Sequence, residues 1–512
     1  MATRAERTGR ERRRQRRPQP SVAPGGMSTR AYQPLSEGDV KRIHEASLSV
    51  LEQTGIEVFP SEARQIFAQA GAMIDESANR VRIPRAMVED AIAKACNRFT
   101  LAGREERHDL DLGNDRVYMG TGGAAVKVVD LDGQVRESRL EDIARIGRLV
   151  DALENIHFFL RPVVARDVPD ELLDVNKAYA AISNTSKHVM TSAYNAKSAR
   201  EVIEMVSMAA GGKEAYEQRP IVSFTSCWTV SPLRYAPETV ETLLELVRQN
   251  IPVTISSAPQ SGATSPAALA GTLVQINAEE LSGIVLCNLV RPGARVLMGY
   301  VPSVADMRTG NFVGGAPEFA LMNAAAAQLA HFYNIPVYNS SSLTDSKASD
   351  VQAGYEKGIT STAAALAGSN YIHHSAGFLE SMLTVSYEQY VIDDDINGSI
   401  MRMVRGIEVN DETLSVEVID QVCRGEGHYL GTQQSLEMMQ TEYYYPHTGD
   451  RQRREDWEEA GSLDMRERAR ARAREILETH KPARLDPAVD QAIRERFEIL
   501  LPPELAGMRI TP

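Results

Sequence analysis

Between residues 115 and 377 the sequence alternates short apolar runs with longer segments of helical pattern, and this alternation constrains the fold most strongly. Eight of these runs have the length and the apolar or β-branched content of strands: 117–120, 157–163, 188–192, 221–227, 252–256, 295–301, 336–340 and 371–376. The last seven begin about 31 to 43 residues apart, which is room for a strand, a helix and two loops. Strictly alternating strands and helices form parallel sheets with right-handed crossovers. We therefore predict an α/β fold, a (β/α)8 TIM barrel over residues 115–400, with an open doubly wound sheet as the alternative.

Helical patterns flank this core on both sides. Ser36 is placed to cap a helix whose third position is Asp39, and two further helices are predicted at 62–69 and 85–94. We predict residues 35–114 as an N-terminal helical segment packed on the barrel and residues 401–512 as a C-terminal helical region. The dense mixed charges of residues 451–475 are typical of a solvated helix face, with a docking surface for a partner protein as the alternative.

The first 34 residues have a composition unlike the rest of the chain. Eight arginines lie between residues 4 and 17, and no apolar segment follows them, so they do not form a secretory signal. Repulsion between like charges in a proline-flanked tract predicts a disordered basic tail over residues 1–34, with a transit peptide as the alternative.

Composition limits the partners and the compartment. The net charge of −13 argues against a nucleic-acid partner, and no run of 18 apolar residues is present to span a membrane. The four cysteines lie far apart without the CxxC spacing of a zinc site, and thiols this sparse suit a reducing compartment. We predict a cytoplasmic protein with no metal site, no nucleic-acid partner and no membrane partner, and we expect it to be a homo-oligomer.

In a (β/α)8 barrel the reacting groups lie at the carboxyl ends of the strands and in the loops that follow. Those positions hold a polar and aromatic set: Thr191, Ser192, Tyr194, Cys227, Trp228, Ser256, Ser257, Tyr300, Asn339, Ser340, Asp345, His373, His374, Phe378 and Glu380. Several of the serines and threonines are expected only to satisfy backbone groups, so the functional set is smaller.

Two stretches of this set carry most of the chemistry. In residues 338–357, Asp345, Lys347 and Tyr355 lie in one loop and the start of its helix, although an acid there also serves simply to complement a helix dipole. In residues 371–380, adjacent strand residues point to opposite faces, so only one of His373 and His374 is expected to face the interior. A hydrogen-bonded core histidine is the competing interpretation, and the pair has no metal-ligand spacing.

Three motifs in these loops resemble the trimethylamine methyltransferase family. The strongest is Thr344-Asp-Ser-Lys347 with Asp350 and Gln352-Ala-Gly-Tyr-Glu-Lys357, supported by Gly314-Gly-Ala-Pro-Glu318 and by the segment from Gly377 through Glu380 to Asp393. The similarity extends from about residue 35 to residue 500, which is nearly the whole globular chain.

The resemblance implies a barrel enzyme that moves a methyl group from an amine to the cobalt of a corrinoid protein. No cofactor is expected to bind this chain directly, since the corrinoid is supplied by that partner protein. Archaeal members of the family carry pyrrolysine in this loop, where this chain has Tyr355 at or near the same position. Members without pyrrolysine act on quaternary amines such as glycine betaine, proline betaine or carnitine. The resemblance therefore favours a quaternary amine over trimethylamine.

A permanently charged ammonium needs aromatic faces or carboxylates if it is to be buried. We predict Tyr355, Asp345 and Glu380 as catalytic residues, and we predict a larger set as substrate-binding residues: Trp228, Tyr300, Lys347, His373, His374 and Phe378. If the substrate also carries a carboxylate, Lys347 and the two histidines are the candidates to bind it. Substitution of Tyr355 or Asp345 by alanine is expected to reduce transfer sharply.

Three other functions stay open on the sequence alone. One is a trimethylamine methyltransferase that works without pyrrolysine. Another is an unrelated barrel lyase or hydrolase that uses Asp345 and a histidine as acid and base, without any corrinoid. The last is a non-catalytic protein that binds a quaternary amine.

Overall fold

A computed structural model describes residues 21–425 and 427–506 of the chain. The arginine-rich tract at residues 4–17, predicted to be disordered, lies outside these residues. Residues 21–34, predicted as part of the same disordered tail, include backbone pairing with the rest of the fold. Met27–Ser28 forms a short strand antiparallel to the first barrel strand, and Tyr32 N donates to Leu366 O at 3.0 Å.

Eight parallel strands and eight helices alternate through the centre of the chain. The strands are β1 (Arg116–Met119), β2 (Phe158–Leu160), β3 (His188–Thr191), β4 (Val222–Ser226), β5 (Val253–Ser257), β6 (Val296–Tyr300), β7 (Val337–Ser340) and β8 (Tyr371–His373). The helix that follows each strand carries the same number: α1 (Leu140–Ala152), α2 (Asp170–Ile182), α3 (Ala196–Ala210), α4 (Pro237–Arg248), α5 (Leu269–Val290), α6 (Pro317–Tyr333), α7 (Val351–Leu366) and α8 (Tyr387–Arg405). All eight predicted strands are therefore confirmed.

The strands form one curled sheet, but its hydrogen-bond ladder does not close. The spatial order is Met27–Ser28, β1, β8, β7, β6, β5, β4, β3, β2, so consecutive strands are neighbours from β2 to β8. Where β1 and β2 approach each other, two isolated parallel bridges form, Gly120 with Phe158 and Ala125 with Val163. The start of β1 pairs instead with Met27–Ser28, through Met27 and Val117. The predicted closed barrel is thus corrected to a curled sheet whose edges touch at isolated bridges without a continuous ladder.

An apolar plug fills the amino half of the curled sheet. The antiparallel hairpin Arg98–Leu101 and Leu110–Gly113 packs its Phe99, Leu101 and Leu112 against inward-facing strand residues. Those residues include Phe158 and Tyr371, whose rings stack with centroids 3.6 Å apart. Close packing of this kind leaves no room for a ligand between the strands of the amino half. A recess inside the curled sheet must therefore open at the carboxyl ends.

The predicted N-terminal helices are present, but this region also contains strands. Ser36 caps the helix Glu37–Ser49 by accepting from Asp39 N at 3.2 Å, and the helices Ser61–Gln69 and Arg85–Lys94 follow. Between them run Ile56–Glu57, Met73–Asp75 and Arg80–Arg82, which join Thr229–Val230 and Arg234–Tyr235 in a five-stranded sheet. Short strands with polar faces are easily missed in a sequence, since two or three residues carry little periodicity.

Smaller elements decorate the loops. These are the turns Val50–Thr54, Glu106–His108, Glu380–Met382 and Pro503–Leu505, the helix Lys213–Gln218, and the strands Lys127–Val129, Val135–Glu137, Gln260–Ser261, Ser303–Ala305, Phe312–Val313, Phe378–Leu379 and Thr384–Ser386. The most apolar helix, α5, is long enough to cross a membrane by length and composition, but 78% of its most apolar stretch is buried in the fold.

The C-terminal region is helical, and part of its charged stretch is buried. Its helices are Val416–Arg424, Gln433–Met438, Arg454–Glu459, Met465–Thr479 and Pro487–Arg496. The helix Met465–Thr479 buries Ala469, Ala473 and Ile476, and Arg470 on the same helix pairs with Glu388 of α8 at 2.9 Å. The charged segment is therefore a solvated face on a helix that is also docked on the barrel.

Candidate active site

Polar side chains that are partly or fully exposed lie at the carboxyl ends of the strands, above the apolar plug. Solvent reaches Arg161, Ser192, Thr225 and Cys227, although these side chains follow or belong to strands of the curled sheet. Cys227 is exposed, yet the protein that surrounds its thiol raises the pKa of that group. That combination is expected for side chains that line a recess, and we call this recess the barrel mouth.

One wall of the barrel mouth is aromatic. Tyr338 of β7 and His373 of β8 stack with ring centroids 4.0 Å apart and planes 16° apart. Both ring nitrogens of His373 lack a hydrogen-bond partner among the residues described. Burial lowers the pKa of His373 well below its ordinary value and raises that of Tyr338, so both rings are neutral at neutral pH. The sequence predicted His373 here but did not select Tyr338.

The two adjacent histidines were predicted to point to opposite faces, and the structure corrects this. His374 has a φ of +62°, so the chain leaves the strand at this residue and the alternation of side chains stops. The His374 ring lies 4.1 Å from the His373 ring, with Nδ1 2.9 Å from Ser340 Oγ and Nε2 2.9 Å from Gly123 O. Phe378 contacts the His374 ring edge-to-face at 4.8 Å. Both histidines therefore lie at the barrel mouth.

The opposite side of the barrel mouth is basic, which the sequence reasoning did not predict. Arg161 follows β2 and its Nη2 donates to Ser192 Oγ at 2.9 Å, while its buried Nε has no partner among the residues described. Lys177 of α2 donates to the same Ser192 Oγ at 3.1 Å and pairs with Asp174. Burial lowers the pKa of Arg161 and lowers that of Lys177 to about 8. A charged residue inside the otherwise apolar run 157–163 was the signal available in the sequence.

Beneath the barrel mouth, α5 contributes a buried acid. Glu280 Oε2 accepts from Gly299 N at 2.9 Å, and Oε1 has no partner in the described part of the chain. Burial raises the pKa of Glu280 well above its ordinary value, so the neutral acid is favoured. Because Gly299 belongs to β6, this carboxyl lies in the layer between the strands and α5. No pattern in the sequence singles it out inside an apolar helix.

Asp345 joins three loops instead of pointing into the barrel mouth. Its carboxylate accepts from Gly314 N at 3.0 Å and from Gly315 N at 3.2 Å, both in the loop after β6, and from the Ser381 hydroxyl in the loop after β8. Glu356 of α7 supports this arrangement by accepting from Asp345 N at 2.9 Å. Asp345, Glu356 and the Gly314–Gly315 pair belong to the motifs that resemble the family, and in the structure they fix the loops relative to one another.

Glu380 belongs to the same set of linked loops. Its backbone N donates to Ser346 O at 2.8 Å, and its carboxylate accepts from Thr384 Oγ1 at 2.6 Å and lies 3.7 Å from Lys127 Nζ. Glu380, Ser381 and Met382 have φ values of +52°, +50° and +82°. Three consecutive non-glycine residues in the left-handed region are held there only by such external contacts, since each costs about 1 kcal/mol or more.

Behind these loops lies a fully buried ion pair. Lys357 Nζ is 3.0 Å from Asp393 Oδ2, and both side chains have 0% exposure. Lys357 also donates to Ser342 O at 2.8 Å, and Asp393 accepts from Gly377 N at 2.7 Å and from Gln389 Nε2 at 2.8 Å. The pair therefore links α7 and α8 to the loops that follow β7 and β8.

Tyr355 and Lys347 lie outside the barrel mouth. The buried face of α7 carries Ala353, Glu356 and Thr360, and Tyr355 projects from the opposite face with 54% of its surface exposed. Its hydroxyl is 3.4 Å from Glu356 Oε1. Lys347 is exposed and donates to Asp345 O at 2.7 Å. The helical period places Tyr355 on the solvent side. Lys347 contacts the predicted residue Asp345, but neither Tyr355 nor Lys347 is hydrogen-bonded to a predicted residue of the barrel mouth.

Trp228 and Tyr300 are buried in the layer between the strands and the outer helices. Trp228 packs edge-to-face on Tyr235 at 4.4 Å and lies over Gly283 of α5. Tyr300 donates to Asn277 Oδ1 of the same helix at 2.7 Å. The structure therefore does not place these two predicted substrate contacts at the barrel mouth, because their side chains point away from the interior.

Comparison with known proteins finds relatives along nearly the whole chain. The family model for trimethylamine methyltransferase (MTTB) matches residues 3–498. Trimethylamine methyltransferase MttB of Desulfitobacterium hafniense is 36% identical over 91% of this chain and 93% of its own length. Glycine betaine methyltransferase of the same species is 33% identical over 90% of this chain and 96% of its own length.

Archaeal relatives match to a similar extent. Trimethylamine methyltransferase MttB of Methanosarcina barkeri is 37% identical over 88% of this chain and 91% of its own length. Among solved structures, monomethylamine methyltransferase MtmB of the same species aligns with a TM-score of 0.48 and 13% identity, covering 89% of this chain and 96% of that one.

Proposed function

Because this chain belongs to the trimethylamine methyltransferase family and is a methyltransferase of the methylamine type, we propose that it takes the methyl group from a quaternary amine. The acceptor substrate in this proposal is the Co(I) corrinoid of a partner protein. The chemistry takes place at the carboxyl ends of the eight strands of the curled sheet, in the barrel mouth.

The observation that carries the proposal is the neutral aromatic wall of the barrel mouth. A quaternary ammonium cannot lose its charge or donate a hydrogen bond, so it is held by aromatic faces and by nearby negative charge. Tyr338 and His373 offer such faces, and His373 is neutral because burial lowers its pKa.

This chain contributes binding and orientation to the transfer. The corrinoid supplies a Co(I) nucleophile, and methyl transfer to it requires an in-line approach along the bond between carbon and nitrogen. The barrel mouth fits an acceptor that arrives from outside, because solvent reaches Ser192 and Cys227. No proton has to move, since the tertiary amine leaves neutral. Among the residues described, no three His, Cys, Asp or Glu side chains cluster as a metal site.

Of the three residues predicted as catalytic, Asp345 and Glu380 are best supported as positioning residues. Their carboxylates bind loop atoms instead of facing the barrel mouth, so they act through the shape of the loops. A catalytic role for Tyr355 has weaker support because its ring lies on the outer face of α7. Of the predicted substrate-binding residues, His373, His374 and Phe378 are supported by their place at the barrel mouth.

The test is a panel of methylated amines assayed with the full chain and chemically reduced cobalamin. We expect quaternary amines to yield their tertiary amines, identified by mass spectrometry, with trimethylamine inactive. Turnover of trimethylamine alone would contradict the quaternary-amine assignment. Product formation without cobalamin would support a lyase or hydrolase, and binding without any turnover would support a binding protein. His373→Ala should reduce turnover, whereas the exposed Arg308→Ala should not.

A further inference from the structure

We propose that Arg161, together with Lys177 and Ser192, forms a carboxylate-binding site in the barrel mouth, so that the substrate is a zwitterion. This inference rests on the proposed function, because it identifies which class of quaternary amine the same site accepts. The sequence had assigned a substrate carboxylate to Lys347 and to the two histidines. Lys347 is exposed and bound to Asp345 O, and both histidines are neutral.

The first argument is the balance of charge. Two cations, Arg161 and Lys177, both donate to Ser192 Oγ, at 2.9 Å and 3.1 Å. One carboxylate, that of Asp174, lies among them, and it is occupied by Lys177 and by Tyr194 N at 2.7 Å. In the described part of the chain, no carboxylate lies within ion-pair distance of Arg161. One positive charge is therefore left without an ionic partner, on a side chain that solvent reaches only in part.

The second argument is the unsatisfied donor. A buried guanidinium presents five N–H donors in a fixed planar fork that matches a carboxylate. Arg161 uses one nitrogen on Ser192, and its buried Nε–H has no acceptor among the residues described. Buried donors are nearly always paired, and a charged one that is unpaired is costly. A bound carboxylate would satisfy both the charge and the donor.

The third argument is the position of this site relative to the aromatic wall. Gly123 lies between the two: a Cβ placed on it would be 3.6 Å from Arg161 Nη1, and its carbonyl oxygen is 2.9 Å from His374 Nε2. The His374 ring in turn lies 4.1 Å from the His373 ring. Tyr338 itself stacks on His373. The anion site and the aromatic wall thus face the same recess. A molecule that carries both a carboxylate and a methylated ammonium requires this arrangement. Choline and trimethylamine lack the carboxylate and satisfy only half of the site.

The test measures binding, not turnover, so that it is independent of the corrinoid. Isothermal titration of the full chain compares glycine betaine with choline, which has the same trimethylammonium but a hydroxyl group in place of the carboxylate. We expect glycine betaine to bind at least about tenfold more tightly than choline. Arg161→Gln should weaken glycine betaine binding at least about tenfold and change choline binding less than about threefold. Arg308→Gln, an exposed arginine, is the matched control and should change neither.

A second measurement guards against a variant that does not fold. Cys227 lines the same recess, so glycine betaine should slow its alkylation by iodoacetamide in the unmodified protein, followed by mass spectrometry of the Cys227 peptide, whereas choline should not. Equal affinity for the two amines, equal protection of Cys227, or an Arg161→Gln variant that keeps the preference would overturn the carboxylate site. If betaine binding depends on Arg161 but no methyl group is transferred, the carboxylate site stands and the proposed function fails.

Discussion

Replacing Lys357 by methionine removes the cation of the fully buried pair while keeping a side chain of similar length. The Asp393 carboxylate then keeps only Gly377 N and Gln389 Nε2 as partners, at 2.7 Å and 2.8 Å, and stays out of reach of water. Leaving one member of a buried ion pair without its partner costs about 3–5 kcal/mol. We expect the free energy of unfolding to fall by about that amount.

The companion variant combines Lys357→Met with Asp393→Asn. The amide oxygen can still accept one hydrogen bond from Gly377 N or Gln389, but no buried charge is left. We therefore expect the double variant to recover about 2 kcal/mol of the loss caused by Lys357→Met alone. Lys94→Met is the matched control, because Lys94 and its partner Asp90 are 51% and 60% exposed. It should leave stability unchanged, as exposed ion pairs contribute little.

Urea unfolding at two pH values distinguishes the buried charge from a simple packing defect. Burial raises the pKa of Asp393 above its value in the unfolded chain, and the Lys357 charge offsets part of that rise. Native Lys357→Met therefore binds this proton more tightly than the unmodified protein does. Lowering the pH therefore favours the native state, and the cost of Lys357→Met should shrink as the pH falls from 8 towards 5, relative to the unmodified protein. A cost that is independent of pH, or a double variant as unstable as the single one, would refute this account.

Three further outcomes follow from the site. Asp345→Ala leaves the N–H groups of Gly314 and Gly315 without an acceptor, so it should lower the unfolding free energy by about 2–3 kcal/mol and methyl transfer at least tenfold, measured by urea titration and turnover. Tyr355→Ala, on the outer face of α7, should change glycine betaine affinity less than about threefold by calorimetry, contrary to the expectation from the sequence. Glycine betaine affinity should decrease as the pH rises through about 8, because Lys177 then loses its proton and one cation of the site disappears, while choline affinity stays constant.

The sequence predicted the strands well because β-branched runs alternate with helices at regular intervals. It could not predict which face of a strand looks inward, since strands buried on both faces are apolar on both sides. Trp228 and Tyr300 were therefore assigned to the site although their side chains pack against α5. The pairing of Met27–Ser28 with β1, which interrupts the closure of the sheet, is a contact across many residues that no local pattern reveals.

The site was predicted in part for a similar reason. The loops after β7 and β8 were found because polar residues at the carboxyl ends of barrel strands are diagnostic. The role of Asp345 was not predicted, because a carboxylate in such a loop can either face a ligand or hold the loop in place. Its hydrogen-bond partners Gly314 N and Gly315 N, which only the structure reveals, decide between these roles. Arg161 and Lys177 were overlooked because a single charge within an apolar run has no periodicity of its own.

The central claim is that a quaternary amine donates its methyl group to Co(I) in the presence of this chain. Its most direct test is stopped-flow spectroscopy, in which reduced cobalamin is mixed with the full chain and glycine betaine, and the absorption of Co(I) is followed. We predict that the Co(I) signal converts to that of methylcobalamin only when protein and glycine betaine are both present, with dimethylglycine formed in equal amount. A Co(I) signal that persists with glycine betaine and with every other quaternary amine tested would contradict the account.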